Sequence, residues 1–144
     1  MFGEQKIEGQ TLVKIDSSGK IKLPKFTGAE PGEELMPMIY FDKSKIIIGK
    51  EEELLEKLMI LLDRLKQSKN RTSADLYEVR RYRRYIFGYC CFMSEKVDKN
   101  GKIKLPSRAL EEVKFSKEAY IVGNETSIHI YPNEEAYKLT LANK

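Results

Sequence analysis

The side chains of this chain with chemistry to offer come in two matched sets. Asp16-Ser17-Ser18-Gly19-Lys20-Ile21-Lys22-Leu23-Pro24 and Asp98-Lys99-Asn100-Gly101-Lys102-Ile103-Lys104-Leu105-Pro106 share an aspartate, a glycine three places on, and the hexamer Gly-Lys-Ile-Lys-Leu-Pro. A further lysine, Lys14 or Lys96, stands two residues ahead of each aspartate. Residues 14–25 hold four lysines and one acid, and residues 96–108 hold five basic residues and one acid. A lysine ammonium offers three donors and a positive charge, which suits phosphate oxygens and the acceptor atoms of base edges. The candidate nucleic-acid contacts are therefore Lys14, Lys20 and Lys22 in the first set and Lys96, Lys99, Lys102 and Lys104 in the second. Asp16 and Asp98 would repel a phosphate, so they read as turn-structuring residues that orient Lys20 and Lys102. Gly19 and Gly101 share that role, since glycine takes the positive φ of a tight turn and aspartate accepts from turn amides. One such set would imply no more than a soluble surface. The same placement twice, beside a turn aspartate each time, points to nucleic acid.

Other chemistries find little support. His129 is the single histidine and alternates with Ile128 and Ile130, the place of an outward-facing strand residue. Cys90 and Cys91 are adjacent, lack zinc-ligand spacing, and have no second histidine as an activating base, so they read as packing residues. No glycine-rich phosphate loop or paired-carboxylate site is visible. The expectation is a protein with no catalytic residue, no metal, no cofactor and no small-molecule substrate. Arg80, Arg81, Arg83 and Arg84, interleaved with Tyr82 and Tyr85, resemble a nucleic-acid strip. On a helix they would wrap more than one face, and pairing with Glu51-Glu52-Glu53 or a neighbouring subunit suits them as well. The net charge of +4 over 144 residues is mild, so where the charge sits matters more than its sum. Residues 1–10 have no apolar run of the kind a signal peptide needs, and residues 58–62, the longest apolar stretch, are too few to cross a bilayer. A cytoplasmic protein with no membrane partner is expected.

The elements that must carry these lysines follow from periodicity. Val13 and Ile15, then Ile21 and Leu23, alternate with polar residues, the pattern of half-buried strands around a Ser17-Ser18-Gly19 turn. Each set is thus expected to form a short hairpin with its apolar residues on one face and its lysines on the other or at the tip. The 82-residue offset between Gly19 and Gly101 continues without a gap, setting Ile39 on Ile121, Ile46 on Ile128, Ile48 on Ile130 and Glu52-Glu53 on Glu134-Glu135. That reach implies a duplicated unit. Residues 1–10 read as a ragged lead-in or weak strand, and 25–37 as a loop with at most one helical turn. Paired strands are expected over 38–41 and 45–48, with counterparts over 119–122 and 127–131. Helices are expected from 51 to about 69, over about 74–85, over 107–113 with Ser107 as cap, and over 134–141, with a strand over 87–93. The chain divides into repeats at 11–55 and 93–137, a helical insert and connecting strand at 56–92, and a tail at 138–144. The class is α+β and rich in β.

Two Asp-x-x-Gly-Lys-Ile-x-Leu-Pro sets separated by a helical insert resemble the MraZ family of bacterial transcriptional regulators, of the SpoVT/AbrB swapped-hairpin type. The resemblance covers nearly the whole chain and includes Arg80, Arg81, Arg84 and Gly88 and the run from Ile121 to Pro132. It implies a duplicated swapped-hairpin, β-barrel-like body with pseudo-twofold symmetry. It also implies a homo-oligomeric ring that presents paired hairpins to repeated boxes in double-stranded promoter DNA. On that pattern the protein is nucleoid-associated and represses its own division and cell-wall operon. Family members carry arginine where Lys20 and Lys102 stand. Arginine grips guanine through two parallel bonds and lysine is a flexible point charge, so phosphate attraction is kept while base preference shifts. The alternative is an oligomeric protein-interaction scaffold or antitoxin-like module that has lost sequence-specific DNA binding.

Overall fold

Strand alternation is visible along the sequence, but the choice of strand partners is not, and that choice makes this fold. The computed structural model describes residues 2–3, 5–40, 42–66 and 91–142. Among them run β1 (Gln10–Lys14), β2 (Lys20–Lys22), a 3-10 turn (Lys25–Thr27), β3 (Glu34–Ile39), β4 (Ile46–Gly49) and α1 (Glu51–Lys66). After residue 90 come β5 (Glu95–Lys96), β6 (Lys102–Lys104), α2 (Ser107–Glu112), β7 (Glu118–Asn124), β8 (Ser127–Tyr131) and α3 (Glu134–Ala142). The result is α+β and rich in β, as the periodicity indicates.

The expected hairpins close only at their tips. Asp16 N donates to Lys20 O at 3.0 Å and Asp98 N to Lys102 O at 2.8 Å, and beyond those bonds the two arms part. β1 pairs with β7 at the edge of an antiparallel sheet in the order β1-β7-β8-β4-β3-β5, while β2 pairs with β6 in a separate two-stranded ribbon. Strands of the two halves therefore interleave. Ile21 faces Ile103 in the ribbon and Ile47 faces His129 at the β4–β8 seam, and in both pairs the partners stand 82 residues apart. Positions 82 residues apart thus lie opposite one another at both seams.

The gapless offset does not survive everywhere. Ile39 faces Ile46, but Ile121 faces Ile130, and the rung that corresponds to Ile39–Ile46 is Gly123–Ile128. Ile39 thus answers to Gly123 rather than Ile121. The matching bonds Ile15 N to Lys117 O and Val97 N to Glu33 O show the same two-residue slip. Because side chains alternate with period two, an even slip leaves every residue on its proper face, which is why the sequence conceals it.

The inner face of the curled sheet carries Leu35, Ile39, Ile46, Ile48, Ala119, Ile121, Ile128 and Ile130, and the ribbon closes over it with Ile21, Leu23, Ile103 and Leu105. Each large side chain fully buried in such a core contributes about 1.5–3 kcal/mol. On the outer face Leu54 and Leu58 of α1, four residues and so about one helical turn apart, lie on Met36, Met38 and Ile47. Ala136 and Tyr137 of α3 pack on Tyr120, Val122 and Tyr131.

Several local expectations change. The lead-in is tied down: Phe2 is fully buried, its N–H donates to the Glu33 carboxylate, and Ile7 N donates to Glu125 O at 2.6 Å. Phe2 and Ile7 are too far apart in sequence to show a periodicity. β3 begins at Glu34 rather than 38 and runs through Pro37, which is buried. Pro37 O accepts from Phe92 N, so the missing N–H points to the same side, beside the short β5, where it interrupts little. Ser107 is the first residue of α2 rather than its cap; Pro106 holds the cap position, with no side-chain cap bond, and its φ of −60° suits a helix start. His129 is half-buried on the α1 side of the sheet rather than freely outward, and Cys91 packs beside Met36 and Met38. The expected helix at 74–85, most of the strand at 87–93, Cys90 and the arginines at 80–84 lie outside the described residues.

A methyl group at Gly123 would stand 2.6 Å from the Ile7 carbonyl oxygen, a backbone atom that cannot swing aside. Gly123→Ala should therefore cost about 1–3 kcal/mol. Chemical denaturation measures this, and an unchanged midpoint would show that residues 5–9 are not clamped against β7.

Candidate nucleic-acid interface

Burying Ile21 and Ile103 forces their neighbours outward, and all four of those neighbours are lysines. Lys20 stands opposite Lys104, and Lys22 opposite Lys102. Neighbouring strands lie about 4.8 Å apart, so each pair sets two like charges side by side, an arrangement that destabilises a sheet unless something offsets it.

The offset comes from the loops. In the first, Asp16 Oδ1 accepts from Ser18 N at 2.9 Å, Ser18 Oγ at 2.7 Å and Lys20 N at 2.9 Å. In the second, Asp98 Oδ1 accepts from Asn100 N at 2.8 Å and Lys102 N at 3.0 Å. Gly19 and Gly101, with φ of 82° and 76°, turn the chain where a side chain would be strained. With Oδ1 committed to its own turn, each carboxylate turns Oδ2 toward the other loop. Lys20 Nζ lies 3.3 Å from Asp98 Oδ2, and Lys102 Nζ lies 3.2 Å from Asp16 Oδ2. Each aspartate therefore structures its own loop, as expected, but holds the opposite loop's lysine rather than its own. Leu23 N to Gly101 O and Leu105 N to Gly19 O, both 2.9 Å, lace the same crossing on the backbone.

Each opposed pair thus contains one neutralised and one bare lysine. Lys20 and Lys102 are 37% and 36% exposed and ion-paired. Lys22 and Lys104 are exposed, with no carboxylate within ion-pair distance among the described residues. Lys14, Lys96 and Lys99 are exposed as well; Lys14 faces Glu118 across β1–β7 and Lys96 faces Glu34 across β5–β3. All seven lysines singled out from sequence are solvent-accessible to some degree. The structure adds Lys117, which lies outside both motifs and so carried no sequence mark. It joins Lys14, Asp16, Ser17 and Ser116 around a concavity of about 500 Å³.

With this geometry in hand, comparison with known proteins adds no family assignment: no protein-family model and no curated protein matches the chain. Among the described residues no helix is long and apolar enough to cross a membrane.

Asp16 is held well below the usual carboxylate range, first by the Lys20 backbone N–H, then by the Ser18 hydroxyl, with Lys102 contributing less. Asp98 is lowered chiefly by the Lys102 backbone N–H, then by Asn100 and the Lys20 ammonium, against some desolvation. A depressed folded value means that the stabilising contribution is present above the ordinary aspartate pKa of about 3.9 and is lost as pH falls through the folded value. Carboxyl NMR titration should therefore find each group more than half ionised at about pH 3.9. Lys102→Ala should move Asp16 upward only in part, because the amides of its own loop remain. Ordinary titration of Asp16 in the wild type would show that the turn bonds do not form in solution.

Proposed function

We propose that the protein is an oligomeric DNA-binding transcriptional regulator of the MraZ type that represses its own operon from repeated promoter boxes. One observation carries the reading: a two-stranded ribbon whose buried face is Ile21 and Ile103 shows solvent four lysines in two directly opposed pairs. A surface that sets like charges side by side is suited to a partner supplying dense negative charge. A two-stranded ribbon is also of a size that the major groove of duplex DNA admits. The reciprocal registers and crossed loop bonds favour a duplicated, swapped-hairpin origin for the body, in keeping with the family resemblance.

The roles divide differently from the simplest motif reading. Lys22 and Lys104, with Lys14, Lys96 and Lys99 around them, are the cations placed to meet phosphates directly. Lys20 and Lys102 each spend one donor on an aspartate, and their remaining N–H groups are the ones free to reach base edges. One ribbon covers few base pairs, so affinity rests on several subunits of a homo-oligomer engaging spaced boxes together. The neutralised tips also give the scaffold or antitoxin-like reading its support, because a protein that no longer binds DNA has no use for free tip charges.

Retention of a duplex carrying the region upstream of the coding sequence separates the two readings. Lys22→Ala combined with Lys104→Ala should weaken retention and flatten the salt dependence, by about 0.9 in the log–log slope for each phosphate that is no longer neutralised. The oligomer mass should be unchanged. Retention equal to wild type at every salt concentration would reject the DNA-binding reading.

A further inference from the structure

The carboxylates at the loop tips are more than turn-formers. Because Oδ1 of Asp16 and of Asp98 is committed to backbone amides of its own loop, the planar carboxylate cannot swing away without breaking the turn. Oδ2 is thereby held beside the other loop's ammonium, with the aspartate side chains still 32% and 28% exposed. Anything that approaches Lys20 or Lys102 meets a fixed negative charge about one hydrogen bond away. A phosphate oxygen carries net charge and is strongly repelled by it, whereas the N7 and O6 atoms of guanine belong to a neutral base and meet only the weaker repulsion between a charge and a partial charge.

Resting on the DNA-binding reading above, we infer that Asp16 and Asp98 are selectivity residues: they discourage Lys20 and Lys102 from binding phosphates and leave them available to neutral acceptors on base edges. The ribbon then holds two kinds of lysine. Lys22 and Lys104 are bare and bind backbone regardless of sequence. Lys20 and Lys102 carry a built-in competing anion that a generic polyanion must displace against its own repulsion. The alternation along the ribbon, one of each kind in both opposed pairs, places a sequence-tolerant cation beside a sequence-demanding one.

Asparagine is the informative substitution, because it keeps an oxygen for the loop amides and removes the charge. Asp16→Asn combined with Asp98→Asn should tighten binding to a scrambled duplex by roughly three- to tenfold at low salt, as two screened surface pairs are relieved. The log–log salt slope on that duplex should steepen by about 0.9 for each lysine released to a phosphate. The ratio of affinities for upstream and scrambled duplexes should narrow. An unchanged slope and ratio in a variant that melts like wild type would overturn the inference, as would equal weakening on both duplexes. If the double variant melts early, each single variant should still show about half the slope change, and its absence in both would count equally against the idea. Failure of the underlying reading looks different: the wild type itself would then bind both duplexes alike, and removing Lys22 and Lys104 would change nothing.

Discussion

Two positive charges placed face to face across a β-ribbon are the constraint to which the surrounding structure answers. Burial of Ile21 and Ile103 dictates that Lys20, Lys22, Lys102 and Lys104 share the outer face. Left alone, that face would push β2 and β6 apart. Asp16 and Asp98 relieve it, each reaching from the loop ahead of one strand to a lysine of the other, so neither loop's electrostatics is complete without its counterpart. The loop geometry follows from the same requirement. An oxygen must be spent on the turn amides to aim the second oxygen outward, and a left-handed glycine must close the turn within reach of the first.

The ribbon in turn holds the sheet. Its isoleucines and leucines form the lid on the inner face of six strands that would otherwise expose an apolar surface to water. The backbone bonds between Leu23 and Gly101 and between Leu105 and Gly19 fix how deeply that lid sits. Charge placement on the outside and packing on the inside are two faces of one pairing register. A one-residue slip in that register would bury lysines and expose isoleucines together.

Much of this was legible in the sequence. Alternation marked every ribbon residue and most of the sheet, and the repeated Asp-x-x-Gly-Lys motif marked the loops. Strand partners were hidden, because a hairpin and a crossed pair of arms share the same alternation and the same turn residues. Length compensation was hidden too. The stretch between Ile39 and Ile46 is two residues longer than that between Gly123 and Ile128, and the connection from ribbon to sheet is two shorter, so a gapless alignment passes over both. The crossed ion pairs could not be inferred from spacing, since they join residues 78 and 86 apart whose proximity depends on the fold. Lys117 carried no mark for the same reason: nothing local distinguishes it until β1 pairs with β7.

The seam between β4 and β8 and the ribbon of β2 and β6 both join distant parts of the polypeptide. During synthesis, β1 and β2 emerge with none of their final strand partners, and β3 and β4 at first have only each other. The sheet has no central seam until Tyr131 has left the ribosome. Closing such long loops before any pairing rewards them makes for slow acquisition of structure. In the interval the isoleucine-rich β4 presents an open apolar edge, a hazard for association between nascent chains. The interleaving of the finished body therefore leaves its first half without most of its strand partners until its second half is made.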